Sequence, residues 1–128
     1  MSANAAETRR IVDTLYAYGK ALDVPGALAM MHDDIVVHEP PFLPYGGPYK
    51  GHDGFVNLFT LMGKEYLNLA KISVDYLVVE GDKAFSVIRC PAHSGGDVML
   101  AEESIVRGDK VASMRIYYHD SASFKLRS

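Results

Sequence analysis

Cysteine is almost absent: Cys90 is the single one in 128 residues. No internal disulfide framework can therefore hold the chain, and a lone thiol suits a reducing compartment. Basic residues are outnumbered by acidic ones, 13 to 16, and cluster nowhere, which removes the electrostatic footprint of a nucleic-acid binder. No apolar run approaches the ~20 residues that span a bilayer, and the opening "MSANAAETRR" lacks the apolar core of a signal peptide. The expectation is a cytoplasmic protein without nucleic-acid or membrane partners. The five histidines are scattered, with no pair at helix or strand spacing. In "HEPPF" prolines replace the helical turn that an HExxH metal motif needs, so no metal site is expected. Linkers, domain-sized repeats and low-complexity segments are missing as well. Residues 1–128 are read as one domain, long enough for a hydrophobic core.

What is present falls into two halves. In "ETRRIVDTLYAYGKAL", Ile11, Leu15, Tyr18 and Leu22 recur at four-three-four spacing and predict one buried face of a helix over 7–22. Asp23 is placed to cap a short second helix over "VPGALAMMH", with Pro25 in its first turn. "DDIVVHE", rich in β-branched residues and stopped by Pro40, reads as a strand. A third helix follows, capped by His52 or Asp53, with Phe55, Phe59, Met62 and Tyr66 as its buried stripe. From residue 70 onward the pattern is strands. "KISVDYLVVE" and "KAFSVIRCPAH" flank a Gly81-Asp82 turn, and "VMLAEESIVR" and "KVASMRIYYH" flank a Gly108-Asp109 turn. Segregated helices and strands imply an α+β fold in which helices cover one face of a curved sheet, an arrangement that can enclose a cavity.

Between the first strand and the third helix lies "HEPPFLPYGGPYKGHDG", residues 38–54, which holds four of the six prolines. Proline lacks the backbone donor that helix interiors and central strands need, so this is a stiffened loop. Its adjacent glycines, Gly46 and Gly47, are expected to supply positive φ. Two stretches, "VVHEPPFLPYGGPYKGHDGF" and "GDKVASMRIYYHD", together with the element order, resemble the SnoaL-like branch of the nuclear transport factor 2-like superfamily. The resemblance implies a cone-shaped α+β fold, three N-terminal helices packed on a curved, mixed but mainly antiparallel sheet around a pocket. It also implies a cofactor-independent protein for a small, largely apolar molecule, and homodimerisation through the outer sheet face. His119 departs from the pattern, standing where many relatives have an aromatic residue.

Neighbouring strand residues point to opposite faces, so only one of His38 and Glu39 can look into the cavity. An inward His38 would move a proton near neutral pH, and an inward Glu39 would have its pKa raised by burial. The resemblance puts Asp120 near the cavity as a further acid or base, with Tyr118 and His119 beside the ligand. Tyr45 and Tyr49 in the proline loop and Tyr18 on the first helix are the expected positioning groups. Glu102 and Glu103 also lie on opposite strand faces, so one of them can enter the cavity. Cys90 is expected to be buried and inert. Three uses fit: general acid/base catalysis (isomerisation, cyclisation, dehydration or hydrolysis) on a carbonyl-bearing molecule, binding of an apolar metabolite without turnover, or a structural dimer.

Overall fold

The computed structural model describes residues 4–119. The first helix, α1 (Ala5–Lys20), opens on a reciprocal cap in which the Asn4 side chain accepts from the Glu7 amide at 2.9 Å and donates to the Glu7 carboxylate at 2.7 Å. Such a box satisfies an orphan amide of the first turn. The face it buries is Thr8, Ile11, Val12 and Leu15. Leu22, expected to extend that stripe, lies beyond the helix with φ 58° and is 53% exposed. Asp23 accepts from the Gly26 amide at 3.0 Å and caps α2 (Val24–Ala29) as anticipated. That helix is shorter than the predicted 24–32. Met31 is taken by β1 (Met31–His38), where the Met30 carbonyl already accepts from the Val111 amide at 2.8 Å. Sheet pairing overrides the local helix preference of the methionines.

A two-residue strand, β2 (Tyr49–Lys50), leads into α3 (Gly51–Glu65). Lys50, rather than His52 or Asp53, occupies the N-cap, with no side-chain cap bond. His52 instead donates to the Met31 carbonyl at 3.1 Å and ties α3 to β1. Asp53 in the first turn complements the helix dipole. After a 3-10 turn at Leu69–Lys71 come β3 (Ser73–Glu80), β4 (Lys83–Pro91), β5 (Asp97–Arg107) and β6 (Lys110–Tyr118). The six strands form one sheet in the order β2-β1-β6-β5-β4-β3. Every pairing is antiparallel except β1 with β6. The expected α+β architecture, helices on one face of a mixed and mainly antiparallel sheet, is the one observed.

The proline loop closes one end of the sheet. Leu43 and Tyr45 turn inward and are buried. The Gly46 amide donates to the Leu43 carbonyl at 3.0 Å, and the Tyr49 hydroxyl donates to the Tyr45 carbonyl at 2.7 Å. Neither Gly46 nor Gly47 has positive φ. Gly46 is needed for another reason: a Cβ there would come within 2.8 Å of the Pro40 carbonyl oxygen. Among the described residues no helix is long and apolar enough to cross a membrane.

Alternation along the strands divides the sheet into two faces. Toward the helices point Ile35 and Val37 of β1 with Glu39 just after it, Ser86, Ile88 and Cys90 of β4, and Val98, Leu100 and Glu102 of β5. Burying each large aliphatic side chain contributes about 1.5–3 kcal/mol. The other face carries Val78, Phe85, Glu103, Arg115 and His38, which the strand register sets side by side in one row.

Candidate functional site

Between the helices and the inner sheet face lies a cavity of about 130 Å³. Leu15 and Tyr16 of α1 form one wall, and Phe55, Leu58, Phe59 and Met62 of α3 another. The sheet contributes Ile88, Cys90, Leu100, Met114 and Ile116 as its floor. The predicted α3 stripe of Phe55, Phe59 and Met62 is thus a cavity wall, with the Phe55 and Phe59 ring centroids 5.5 Å apart. Against this apolar lining stand the polar groups of Tyr16, Glu39, Glu102 and Tyr118, with the exposed Lys20 marking the opening.

Glu39 is the member of the His38-Glu39 pair that looks inward. It is 5% exposed, and its Oε1 has no hydrogen-bond partner among the described residues. Burial, and then the nearby charge of Glu102, push its pKa up to about 8. Glu102 comes from the middle of β5, between Ser86 of β4 and Ile116 of β6. The Tyr16 hydroxyl donates to Glu102 Oε1 at 2.7 Å and also meets the Ser86 hydroxyl. Burial raises the pKa of Glu102, while the Tyr16 hydrogen bond opposes that rise. Burial likewise holds the Tyr16 phenol well above its ordinary value. Two carboxyl groups sharing one dry cavity do not ionise independently: loss of one proton holds the other in place.

Tyr118 lines the cavity beside Glu39, and the Tyr45 hydroxyl donates to the Tyr118 hydroxyl at 2.9 Å. Tyr45 itself stands behind that wall, its ring centroid 4.6 Å from that of Tyr66. Burial raises the pKa of both hydroxyl groups, so both remain donors across the ordinary pH range.

The remaining expected residues lie elsewhere. His38 faces the outer side of the sheet, where burial and then Arg115 lower its pKa. The pleat that turns Glu39 inward turns His38 out. Tyr18 does not reach the cavity: its ring packs beside α2, where a Cβ on Gly26 would meet it at 2.4 Å. Tyr16, two residues earlier, takes the inward position because the buried stripe runs through Ile11, Val12 and Leu15 and not toward Leu22. Tyr49 braces the proline loop through its bond to the Tyr45 carbonyl and does not line the cavity. His119 is exposed and donates its amide to the Met99 carbonyl at 3.2 Å, outside the cavity. Asp120 lies outside the described residues.

Sequence reasoning missed Tyr16 and Ser86 and left Glu102 undecided. The available signal was the alternation Ala84, Ser86, Ile88, Cys90, which the mostly apolar outer residues of the same strand obscured. Cys90 is buried in the cavity floor, donates to the Asn68 carbonyl at 3.3 Å, and has its pKa pushed up to about 11, chiefly by burial. Among the described residues no group of three or more His, Cys, Asp or Glu is arranged to hold a metal ion.

No protein-family profile matches the sequence, and no curated protein sequence matches it. Solved structures do match. An NTF2-like protein from Burkholderia xenovorans superposes with a TM-score of 0.77 at 24% identity, covering 93% of each chain. Bal32a, from a soil-derived mobile gene cassette, gives a TM-score of 0.81 at 18% identity over 93% of this chain and 94% of that one. A Kribbella flavida protein provisionally assigned as a ketosteroid isomerase gives 0.75 at 11% identity over 91% of this chain and 80% of its own. The fold is NTF2-like.

Proposed function

We propose that, on this NTF2-like frame, the cavity binds a small, largely apolar carbonyl compound and moves a proton on the carbon beside the carbonyl. The chain would then be a cofactor-independent isomerase of the SnoaL-like, ketosteroid isomerase-related kind. The observation that carries this reading is Glu39, a buried carboxyl at the cavity wall with its Oε1 unpartnered. A carboxylate in that position is a base waiting for a C–H acid.

The roles follow from the environments. Glu39 as carboxylate takes the proton from the carbon next to the carbonyl, and the C–H electron pair moves onto the carbonyl oxygen as an enolate. Glu102, whose proton burial retains, donates its O–H to that oxygen. Tyr16 holds the opposite carboxyl oxygen of Glu102 and so fixes the direction of the donor. Glu39 then returns the proton to the far end of the conjugated system, leaving the enzyme unchanged. The provisional ketosteroid isomerase among the structural neighbours supports a carbonyl substrate over an epoxide or a leaving-group reaction. The exposed outer-face side chains Tyr76, Val78, Phe85 and Tyr117 support a homodimer through that face.

The test is conversion of cyclohex-3-enone to its conjugated isomer, followed by ultraviolet absorbance. Only the ionised form of Glu39 is a base, so kcat/KM rises with pH and levels off above about pH 8. Glu39→Gln is expected to abolish turnover while ligand still binds, and Asp120→Asn run alongside tests the third carboxylate. Undiminished turnover by Glu39→Gln refutes the assignment. Binding without any turnover by the wild type reduces the cavity to a carrier site.

A further inference from the structure

The size of the cavity limits what can react inside it. Its volume of about 130 Å³ is close to that of an apolar protein cavity of about 150 Å³ that accepts one benzene molecule. The reacting carbonyl must reach the Glu102 carboxyl, and the carbon beside it must lie against Glu39, which is fixed at the end of β1. Both groups stand on the sheet side, so the reacting ring has to lie against the sheet floor. The wall opposite is made of core side chains of α3: Leu58 and Met62 are both buried. Interiors packed in this way do not retreat from an oversized ligand without cost. On α3, Phe59 lies beside Phe55, and its partly buried ring lines the cavity from the helix side.

We infer that the substrates are single-ring carbonyl compounds, and that a second fused ring is excluded by the α3 wall with Phe59 as the residue that sets the limit. This inference rests on the carbonyl chemistry proposed above, and it is tested apart from turnover.

Phenol and 2-naphthol carry the same hydroxyl head on one and two rings, and a phenolic oxygen stands in for the enolate oxygen at Glu102. Calorimetric titration of the wild-type protein with each is the experiment. Hydrophobicity alone makes the larger compound bind more tightly. The size limit reverses that order, and phenol is expected to bind at least tenfold more tightly than 2-naphthol. Naphthol binding equal to or tighter than that of phenol overturns the inference, as does no binding of either. Phenol binding without isomerisation of cyclohex-3-enone sinks the proposed chemistry and leaves the size limit standing. Phe59→Ala, checked for folding by circular dichroism, should shift the preference at least tenfold toward 2-naphthol. An unchanged preference in the folded variant overturns the role of Phe59.

Discussion

Replacing Glu39 by glutamine should stabilise the protein at neutral pH while removing its chemistry. The carboxyl has an ordinary pKa of 4.5 when the chain is unfolded and about 8 when folded. Between those values the native state keeps a proton that the unfolded state has released. Stability is therefore fully present below pH 4.5 and is lost as pH rises through the folded value, at about 1.4 kcal/mol per pH unit for one proton. From pH 5 to pH 7 this amounts to about 3 kcal/mol, a large part of the 5–15 kcal/mol that holds an ordinary domain together. Glutamine has the same shape as the neutral acid and cannot ionise. Urea unfolding of both proteins at pH 5, 6, 7 and 8 should give nearly equal stabilities at pH 5. The variant should then lead by about 3 kcal/mol at pH 7. Glu102 contributes a decline of the same sign to both proteins, so neither curve is flat. If the two curves run parallel from pH 5 to pH 8, Glu39 is not held as a buried neutral acid, and the base assignment goes with it.

Tyr16→Phe removes the bond to Glu102, of a kind worth about 0.5–1.5 kcal/mol for a neutral acceptor, so kcat should fall about two- to tenfold. That bond lowers the Glu102 pKa, so its loss should also raise the pH at which Glu102 ionises, read by NMR titration of its carboxyl carbon, a shift that mere loosening of α1 would not produce. Gly26→Ala should lower the melting temperature, because the new Cβ meets the Tyr18 ring at 2.4 Å. A clash of that kind costs about 1–3 kcal/mol, more than alanine gains over glycine in a helix. Phe85→Glu places a charge on the outer face, where the Phe85 and Tyr117 ring centroids are 6.2 Å apart. Light scattering should show monomer for this variant and dimer for the wild type, and an unchanged mass would remove that face as the interface.

The two hairpins, the capped α2 and the order of elements were legible because each rests on local chemistry: Gly-Asp turns, an Asp cap, a proline stop. The site was less so, since it depends on which way each strand and helix is rotated. In "DDIVVHE" three consecutive apolar residues, Ile35, Val36 and Val37, erase the alternation that would have pointed Glu39 inward. Both faces of this sheet carry apolar groups, and β5 shows the same ambiguity, with Met99 and Ile105 outside and Val98 and Leu100 inside. On α1 Tyr18 follows Leu15 by three residues and Tyr16 follows Val12 by four, so helical spacing favoured neither. The deciding fact, that the helix stops at Lys20 and leaves Leu22 outside, is a tertiary one. Leu22 adopts the left-handed conformation there, a cost that no propensity scale foresees.

The parallel pairing of β1 with β6 sets Val36 beside Ser113 and His38 beside Arg115. A ribosome making this chain releases β1 early, yet the strand that lies against it is the second arm of the last hairpin. The helices and the proline loop must therefore wait, with one long edge of β1 unsatisfied, for the last of the described strands. Long-range closure of this sort makes folding slow and leaves the half-made sheet open to pairing with other chains. The hairpins can zip up by themselves, but the cavity comes into being only at that final step. A nascent chain arrested before Lys110 has its meander three-quarters built and no enclosed space at all.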